Sequence, residues 1–296
     1  MSRALLVGGT GFIGSRLAAS LAAQGVTPRL FDLGPALARA TLPAGWEAVA
    51  GDVTDLAALT AAAEGCDGVV NLAGIMTLDC ARDPARAINV NVLGGMNVFE
   101  MARRAGIPVA YLSSAGVFGP DDAATPAPLT LYGVTKLAVE GIARVAAADH
   151  GVASLGLRPY VVYGPGISGG IAAGPSIAIA ASVRRERATI GFSGRVGFVY
   201  VDDVARLLAA AVTRPIRGAA VLTMAGDTRE MDAFLAVLAR RSGWDGITVD
   251  GAPLRIPADL VSDPVPPVLG DHPVTPIESG IAAALAELST AAPSPA

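Results

Sequence analysis

The chain has 296 residues, of which 52% are apolar and 16% are charged. This length and apolar content allow a sizeable core, which excludes an intrinsically disordered protein. The formal net charge of −4 provides no basic surface for a phosphate backbone, so we expect no nucleic-acid partner. The two cysteines, Cys66 and Cys80, fit neither a disulfide framework nor a metal-binding motif. We therefore expect free thiols and a cytoplasmic protein.

The mean hydropathy of +0.51 raises the question of a membrane segment. Gly, Pro, Arg or Asp interrupts every apolar run before the roughly 18 residues that a membrane-spanning helix needs. The apolar run before Gly8 is too short for the core of a signal peptide. We expect no membrane association, and a first β-strand at this end of the chain.

Over the first 165 residues, short β-branched runs alternate with longer alanine-rich stretches, a pattern typical of βαβ units in a parallel sheet. The predicted strands are Ala4–Val7, Arg29–Asp32, Glu47–Ala50, Gly68–Leu72, Val109–Ser113 and Ser154–Leu157. The predicted helices between them are Gly11–Gln24, Asp55–Glu64, Ala85–Ala105 and Thr130–His150. The pattern indicates a doubly wound α/β fold.

The second half of the chain is richer in glycine and proline and less regular. Its predicted elements are a basic helix ending at residues 184–187, a strand near residue 198, a helix over Asp202–Val212 and a strand over Ala219–Met224. Near the end, Thr275, Pro276 and Glu278 form a capping box with proline at the first helical position, which predicts a last helix that Thr275 caps.

A glycine-rich loop, Gly8 to Gly14, lies between the first predicted strand and helix. Glycines at this position let the backbone approach a pyrophosphate, whose charge the helix amides stabilise. Asp32 ends the second strand, where a carboxylate accepts hydrogen bonds from an adenosine ribose and repels a 2′-phosphate. This spacing predicts NAD as cofactor, although Arg29 and Arg39 keep NADP open as the alternative.

Polar or small residues follow the third and fourth strands as well. Asp52 and Asp55 follow the third strand, and Leu72 to Gly74 follow the fourth. The carboxyl ends of parallel strands are where such sheets bind ligands, so we expect these segments at the cofactor site. The alternative for Asp52 and Asp55 is helix capping.

Of the 22 basic residues only Lys136 is a lysine, so the chain uses arginine wherever a positive charge alone suffices. An ammonium is compact and its pKa shifts readily. A guanidinium cannot replace it at a site that needs these properties. Tyr132 lies four residues earlier, on the same face of the predicted helix. A nearby ammonium lowers the pKa of a phenol, which then serves as general acid and base in alcohol–carbonyl interconversion. One hydroxyl of the pair Ser113 and Ser114 would polarise the substrate oxygen.

Taken together, several stretches of this sequence resemble the extended short-chain dehydrogenase/reductase superfamily and its NAD-dependent epimerase/dehydratase group. They are GGTGFIG (8–14), GDVTD (51–55), NLAG (71–74), NVNVLGGMNVFEMARRAG (89–106), SSAGVFG (113–119), YGVTK (132–136), LRPYVVYGPG (157–166) and FVYVDDVA (198–205). The order of these stretches, rather than any single one, makes the resemblance specific.

The resemblance implies a Rossmann-type domain with bound NAD, and a homodimer formed through a helix bundle. It implies that Ser114 contacts the substrate oxygen, that Tyr132 is the acid and base, and that Lys136 holds the nicotinamide ribose. The expected cofactor-binding residues are Gly8, Gly11, Phe12, Ile13, Gly14, Asp32, Asp52, Val53, Leu72, Ala73, Gly74, Asn91, Tyr132, Lys136 and Tyr160. The expected substrate-binding residues are Met76, Ser113, Ser114, Tyr132 and Arg195. Neither histidine is assigned to a metal.

We expect residues 1–165 to form the NAD-binding domain, with 198–226 returning to it. Residues 166–197 and 227–296 are expected to form a small C-terminal α/β portion that binds the substrate.

The chain departs from this group at positions that bear on the substrate. Members that act on nucleotide-linked sugars carry an Asn at the position of Val161 and an Arg at the position of Val196, with Arg195 one place away here. A valine offers no hydrogen-bond donor to a diphosphate, and a buried diphosphate without donors is costly. The segment 121–128, one wall of the expected pocket, is short and rich in proline.

These observations favour an NAD-dependent dehydrogenase acting on a secondary alcohol of a small polyhydroxylated substrate, such as a sugar or sugar acid. An epimerase or dehydratase acting on sugars, including nucleotide sugars, is the enzymatic alternative. A non-catalytic protein that senses a dinucleotide is the alternative of another class, and an intact set of Ser114, Tyr132 and Lys136 argues against it.

Overall fold

The computed structural model describes residues 1–167 and 169–291. Its strands are β1 (Arg3–Val7), β2 (Thr27–Asp32), β3 (Glu47–Ala50), β4 (Gly68–Asn71), β5 (Val109–Leu112), β6 (Ser154–Pro159), β7 (Val161–Tyr163), β8 (Ala188–Ile190), β9 (Arg195–Tyr200), β10 (Ala219–Met224), β11 (Asp227–Glu230) and β12 (Ile247–Val249). Its α-helices are α1 (Phe12–Ala23), α2 (Gly34–Leu37), α3 (Leu56–Ala62), α4 (Thr77–Arg82), α5 (Pro84–Ala87), α6 (Gly94–Ala105), α7 (Leu131–His150), α8 (Gly174–Val183), α9 (Val201–Thr213), α10 (Met231–Ser242) and α11 (Ile277–Ala291).

The main sheet is parallel and has seven strands in the order β10-β6-β5-β4-β1-β2-β3. The order reverses at β1 and β4, because the chain leaves the centre in opposite directions before and after that point. Crevices at such a reversal, at the carboxyl ends of the strands, are where doubly wound sheets bind ligands. The predicted fold class is confirmed.

Both faces of this sheet are buried, which explains the nearly continuous apolar runs in its central strands. In β1, Leu5 and Val7 pack into one apolar cluster, while Ala4 and Leu6 pack into another on the opposite face. Among the described residues, no helix is both long and apolar enough to span a membrane.

One predicted strand lies in a different sheet from the one expected. Strand β9 overlaps the start of the segment 198–226, which was expected to rejoin the first domain, but it pairs with β7 and β11 in a separate three-stranded sheet. Helix α9 and strand β10 of the same segment do return, and β10 forms the edge of the main sheet. The local pattern predicts a strand here but carries no information on which strand pairs with it.

Two helix boundaries also differ from expectation, for reasons in the tertiary structure. The segment predicted as one helix from Ala85 contains a π-helical stretch, Ile88–Leu93. The Thr275 hydroxyl donates to Asp203 instead of capping α11, and the first amide of α11, from Ile277, donates to Asp227 at 3.0 Å. Long-range carboxylates thus replace the predicted local cap.

Candidate active site

The glycine-rich loop connects β1 to α1 with very little space between them. A Cβ atom on Gly14 would lie 2.5 Å from the carbonyl oxygen of Gly9, so only glycine permits this close approach. Of the side chains that the structure describes, none caps the amino end of α1 at Gly11. The first amides of a helix have no partner within the helix. They are therefore available to an anion, which fits the pyrophosphate of NAD.

Asp32 lies beside this loop at the carboxyl end of β2. Its Oδ2 accepts hydrogen bonds from the Thr10 backbone amide at 3.1 Å and from the Thr10 hydroxyl at 2.6 Å. Arg29, by contrast, donates to Glu47 at 2.6 Å and to the Ala62 carbonyl at 2.8 Å. Arg29 is thus occupied in an ion-pair network, and only Asp32 of the two charges adjoins the loop.

The two expected carboxylates after β3 have separate surroundings. Asp55 caps α3 by accepting from the amides of Ala57 and Ala58, which confirms the capping alternative for this residue. Asp52 is exposed and accepts from Thr54 in a local turn. Asp52 therefore remains in a position to reach a ligand at this edge of the sheet.

Asn91 holds the segment that follows β4. Its amide oxygen accepts from the Ile75 backbone amide at 2.7 Å, and its amide nitrogen donates to the Ile75 carbonyl at 3.1 Å and to the Thr135 hydroxyl at 3.0 Å. A Cβ atom on Gly74 would lie 3.4 Å from both Asn91 Oδ1 and Lys136 Nζ. Gly74, in the segment of the predicted cofactor site after β4, therefore lies close to both Asn91 and Lys136.

Lys136 and Tyr132 lie together at the beginning of α7. The Lys136 Nζ atom is 5.5 Å from the centre of the Tyr132 ring and donates to the Leu112 carbonyl at 2.9 Å. The lysine is 7% exposed, so it is not a surface cation. Burial lowers the pKa of Lys136 to about 8.

The pKa of Tyr132 moves in the direction opposite to our expectation. Burial raises it to about 12, and the nearby Ser114 hydroxyl opposes part of the rise. At its distance from the Tyr132 ring, the positive charge of Lys136 does not offset the desolvation of the phenolate. A further positive charge is needed to make Tyr132 a base near neutral pH.

Ser114 is oriented by the turn that follows β5. Its Oγ accepts from the Gly116 amide at 3.0 Å, which leaves the hydroxyl proton free to be donated elsewhere. A Cβ atom on Gly116 would lie 3.3 Å from Ser114 Oγ and 3.9 Å from the Tyr132 ring. Gly116 therefore leaves open space next to both functional groups.

Ser113 has a different partner from the one expected. The residue is 3% exposed, and its hydroxyl donates to Glu140 at 2.5 Å. Its proton is thus committed within the protein. Successive residues of an extended segment point to opposite sides, so the Ser114 side chain has a different direction from that of Ser113. We carry forward Ser114 alone for contact with a substrate.

Three other expected residues lie farther from this cluster or are engaged elsewhere. The Tyr160 hydroxyl, expected at the cofactor, donates to the Ile256 carbonyl at 3.2 Å and links the two portions of the chain. Met76 is 47% exposed just before α4, and Arg195 is exposed at the start of β9. Met76 adjoins the Asn91 segment, while no hydrogen bond connects Arg195 to the cluster.

Sequence reasoning missed two residues, Glu140 and Arg158. Their side chains form a salt bridge at 2.5 Å, and both are mostly buried. One signal was present: Glu140 follows Lys136 by four residues and therefore shares its helix face. The pairing with Arg158 on β6 could be seen only in the folded chain.

A sequence profile of the NAD dependent epimerase/dehydratase family matches residues 4–223. The chain belongs to this family, which confirms the resemblance stated from its motifs. NAD is the cofactor of the family, in agreement with the loop and the carboxylate described above.

Individual relatives have different activities. The chain is 31% identical over 183 residues to a 3 beta-hydroxysteroid dehydrogenase/Delta 5→4-isomerase of Mycobacterium tuberculosis, covering 56% of this chain and 48% of the relative. It is 30% identical to a UDP-glucose 4-epimerase of Azospirillum brasilense, covering 55% and 49%. The chain thus spans about half the length of these curated relatives. Among solved structures, MoeE5 in complex with UDP-glucuronic acid and NAD is 27% identical with a TM-score of 0.81, covering 98% of this chain and 99% of that one.

Proposed function

We propose that this protein is an NAD-dependent dehydrogenase that interconverts a secondary alcohol and a carbonyl on a small polyhydroxylated substrate, such as a sugar or sugar acid. The observation that carries the proposal is the arrangement of Ser114, Tyr132 and Lys136 beside the glycine-rich loop and the Asn91 segment. These groups supply a hydrogen-bond donor, an acid and base, and a buried cation.

In the oxidation direction, Ser114 donates its free proton to the hydroxyl oxygen of the substrate. Tyr132 removes the proton from that hydroxyl. NAD, when bound, supplies a positively charged ring that accepts the hydride and favours the phenolate. Lys136 would hold the nicotinamide ribose, and its ammonium adds to the positive field at Tyr132. In the reverse direction Tyr132 returns the proton to the carbonyl oxygen.

Two buried valines support a substrate without a nucleotide. Val161 in β7 and Val196 in β9 are almost fully buried, and neither side chain has a donor for a diphosphate. Arg195 precedes Val196 in the sequence, but it is exposed at the start of β9. Recognition of a diphosphate at these positions would leave its oxygens without partners.

A nucleotide-sugar epimerase is the second candidate, supported by the names of two similar proteins. The relative from Azospirillum brasilense is a UDP-glucose 4-epimerase, and MoeE5 was solved with UDP-glucuronic acid. An epimerase returns the hydride to its substrate and produces no net NADH, whereas a dehydrogenase releases NADH with each product.

The deciding experiment is NADH formation, followed by absorbance, over a panel of sugar acids, free sugars, hydroxy acids and UDP-sugars. We expect NADH with at least one compound that has no nucleotide. We also expect UDP, in the presence of NAD, to leave the melting temperature unchanged. Thermal protection by UDP together with conversion of a UDP-sugar without NADH would establish the epimerase instead. NAD binding without turnover of any panel member would favour the non-catalytic sensor.

Asp32 predicts the choice between the two dinucleotides. We expect NAD to bind at least about tenfold more tightly than NADP, a difference of about 1.4 kcal/mol, because the carboxylate repels a 2′-phosphate. Titration of both cofactors measures this ratio, and Asp32→Asn should reduce it. The matched control is Asp149→Asn, an exposed carboxylate near the end of α7 with no assigned role at the cofactor, which should leave the ratio unchanged. Equal affinities in the unaltered protein would contradict the assignment.

We also propose that the protein is a homodimer. Several large apolar side chains are exposed on the π-helical segment, on α6 and on α7, which pack against one another: Ile88, Leu93, Met96, Val134 and Val145. Exposed apolar surface shared by neighbouring helices suits a second copy of the same surface. Light scattering should give twice the 29.6 kDa chain mass, and Val145→Glu should shift the mass toward the monomer. A monomer in the unaltered protein would contradict this proposal.

A further inference from the structure

Helix α7 carries a third polar residue on the face that bears Tyr132 and Lys136. Glu140 follows Lys136 by four residues and is 4% exposed. Its Oε1 accepts from Arg158 Nε at 2.7 Å and from Ser113 Oγ at 2.5 Å, and its Oε2 accepts from Arg158 Nη2 at 2.5 Å. The chemistry described above uses Tyr132 and Lys136 but does not use Glu140.

The contacts of this network surround the segment that presents Ser114. Before Ser114, Lys136 binds the Leu112 carbonyl and Glu140 binds the Ser113 hydroxyl. After Ser114, the Arg158 guanidinium lies 5.1 Å from the centre of the Phe118 ring. Residues on both sides of Ser114 therefore contact α7 or its ion-pair partner.

A buried ion pair is poor evidence for a stabilising role. Removing two charges from water costs about as much as their attraction returns, and apolar residues of similar volume often serve stability equally well. A charged acceptor does, however, shorten and orient its hydrogen bonds. The bidentate geometry of Arg158 fixes the Glu140 carboxylate, and the carboxylate in turn fixes Ser113.

We propose that Glu140, held by Arg158, is a positioning residue: it binds the Ser113 hydroxyl and so fixes the position of the neighbouring Ser114 hydroxyl beside Tyr132. The catalytic consequence rests on the proposed function. The placement of Ser114 relative to Tyr132 does not, and it can be measured without substrate or cofactor.

The main test uses Ser113→Ala, which removes the hydrogen bond and leaves the ion pair intact. The readout is the ring ¹³Cζ resonance of Tyr132 in tyrosine-labelled protein, assigned by its absence in Tyr132→Phe. Ser114→Ala should move this resonance because the hydroxyl beside the phenol is lost. We expect Ser113→Ala to move it in the same direction, and the double variant to move it no farther than Ser114→Ala alone. Additive shifts, or a resonance unchanged in Ser113→Ala, would overturn the proposal.

The second arm uses Glu140→Gln with a control of the same chemistry elsewhere. Glu47, like Glu140, is paired with arginine: it binds Arg3 and Arg29 at the opposite end of the sheet. In folded protein, checked by circular dichroism, Glu140→Gln should move the Tyr132 resonance and Glu47→Gln should leave it in place. Equal effects of the two variants would show a general loss of rigidity and would also overturn the proposal.

With an identified substrate, Ser113→Ala should lower kcat at least about tenfold and change KM little, because a misdirected donor weakens the transition state more than substrate binding. In the Ser114→Ala background the same change should have no further effect on kcat. An equal loss of kcat in both backgrounds would contradict action through Ser114. If no panel member is oxidised while the Tyr132 resonance responds as expected, the proposed function fails and the positioning of Ser114 is supported.

Discussion

Lys136→Arg is expected to lower kcat/KM at least about a hundredfold, although it conserves the charge and the chain uses arginine everywhere else. Lys136 is almost fully buried, with its Nζ bound to the Leu112 carbonyl and adjacent to Gly74. A guanidinium is larger and planar, so it cannot occupy the same space between the phenol and a ribose. Steady-state kinetics on an identified substrate measures the loss.

Tyr132→Phe should lose at least as much activity, and the double variant little more than either single one, because the two residues act as one unit. Arg144→Lys is the matched control, since Arg144 lies on the same helix but is exposed. It should retain full activity. Near-normal turnover by Lys136→Arg would mean that the ammonium is dispensable, and would leave catalysis to the glycine-rich loop and Ser114.

Gly133→Ala is expected to lower kcat about a hundredfold, the scale of loss that a displacement near 1 Å produces. The Cβ atom of an alanine here would lie 2.1 Å from the Gly116 carbonyl oxygen and 2.8 Å from the Pro128 side chain. The beginning of α7 must therefore move away from the turn that carries Ser114, and Tyr132 moves with it. We expect the free energy of unfolding to fall by about 1–3 kcal/mol, the cost of overpacking.

Gly141→Ala, in the same helix, provides the control for this substitution. Its Cβ atom would meet only the end of the Arg144 side chain, at 3.9 Å. Since alanine favours helix by about 1 kcal/mol over glycine, stability should be equal or higher and activity unchanged. Denaturant unfolding and kinetics on both variants separate the two effects. A Gly133→Ala enzyme as active as Gly141→Ala would show that the close contact with Gly116 is not required.

The parallel sheet and the core of the candidate site could be predicted from the sequence because their signals are local. Strands β3 and β10 lie where the pattern predicts them, residue for residue. The spacing of Tyr132 and Lys136 follows from helix geometry, and their buried contact agrees with it. The glycine-rich loop was recognisable because some of its close approaches, such as that of Gly9 and Gly14, occur between residues near in sequence.

Features that depend on contacts between distant segments were decided only by the tertiary structure. Arg29 was a plausible phosphate ligand until Glu47, on the neighbouring strand, was seen to bind it.

The effect of burial on the pKa of Tyr132 depends on how many segments cover the phenol, which spacing along one helix does not reveal. Likewise, Glu140 gains its role only when β6 brings Arg158 and β5 brings Ser113 to the same face of α7. Local propensity and spacing determine which elements form and which residues share a face; the pairing of charged and polar groups across elements is determined by how those elements pack.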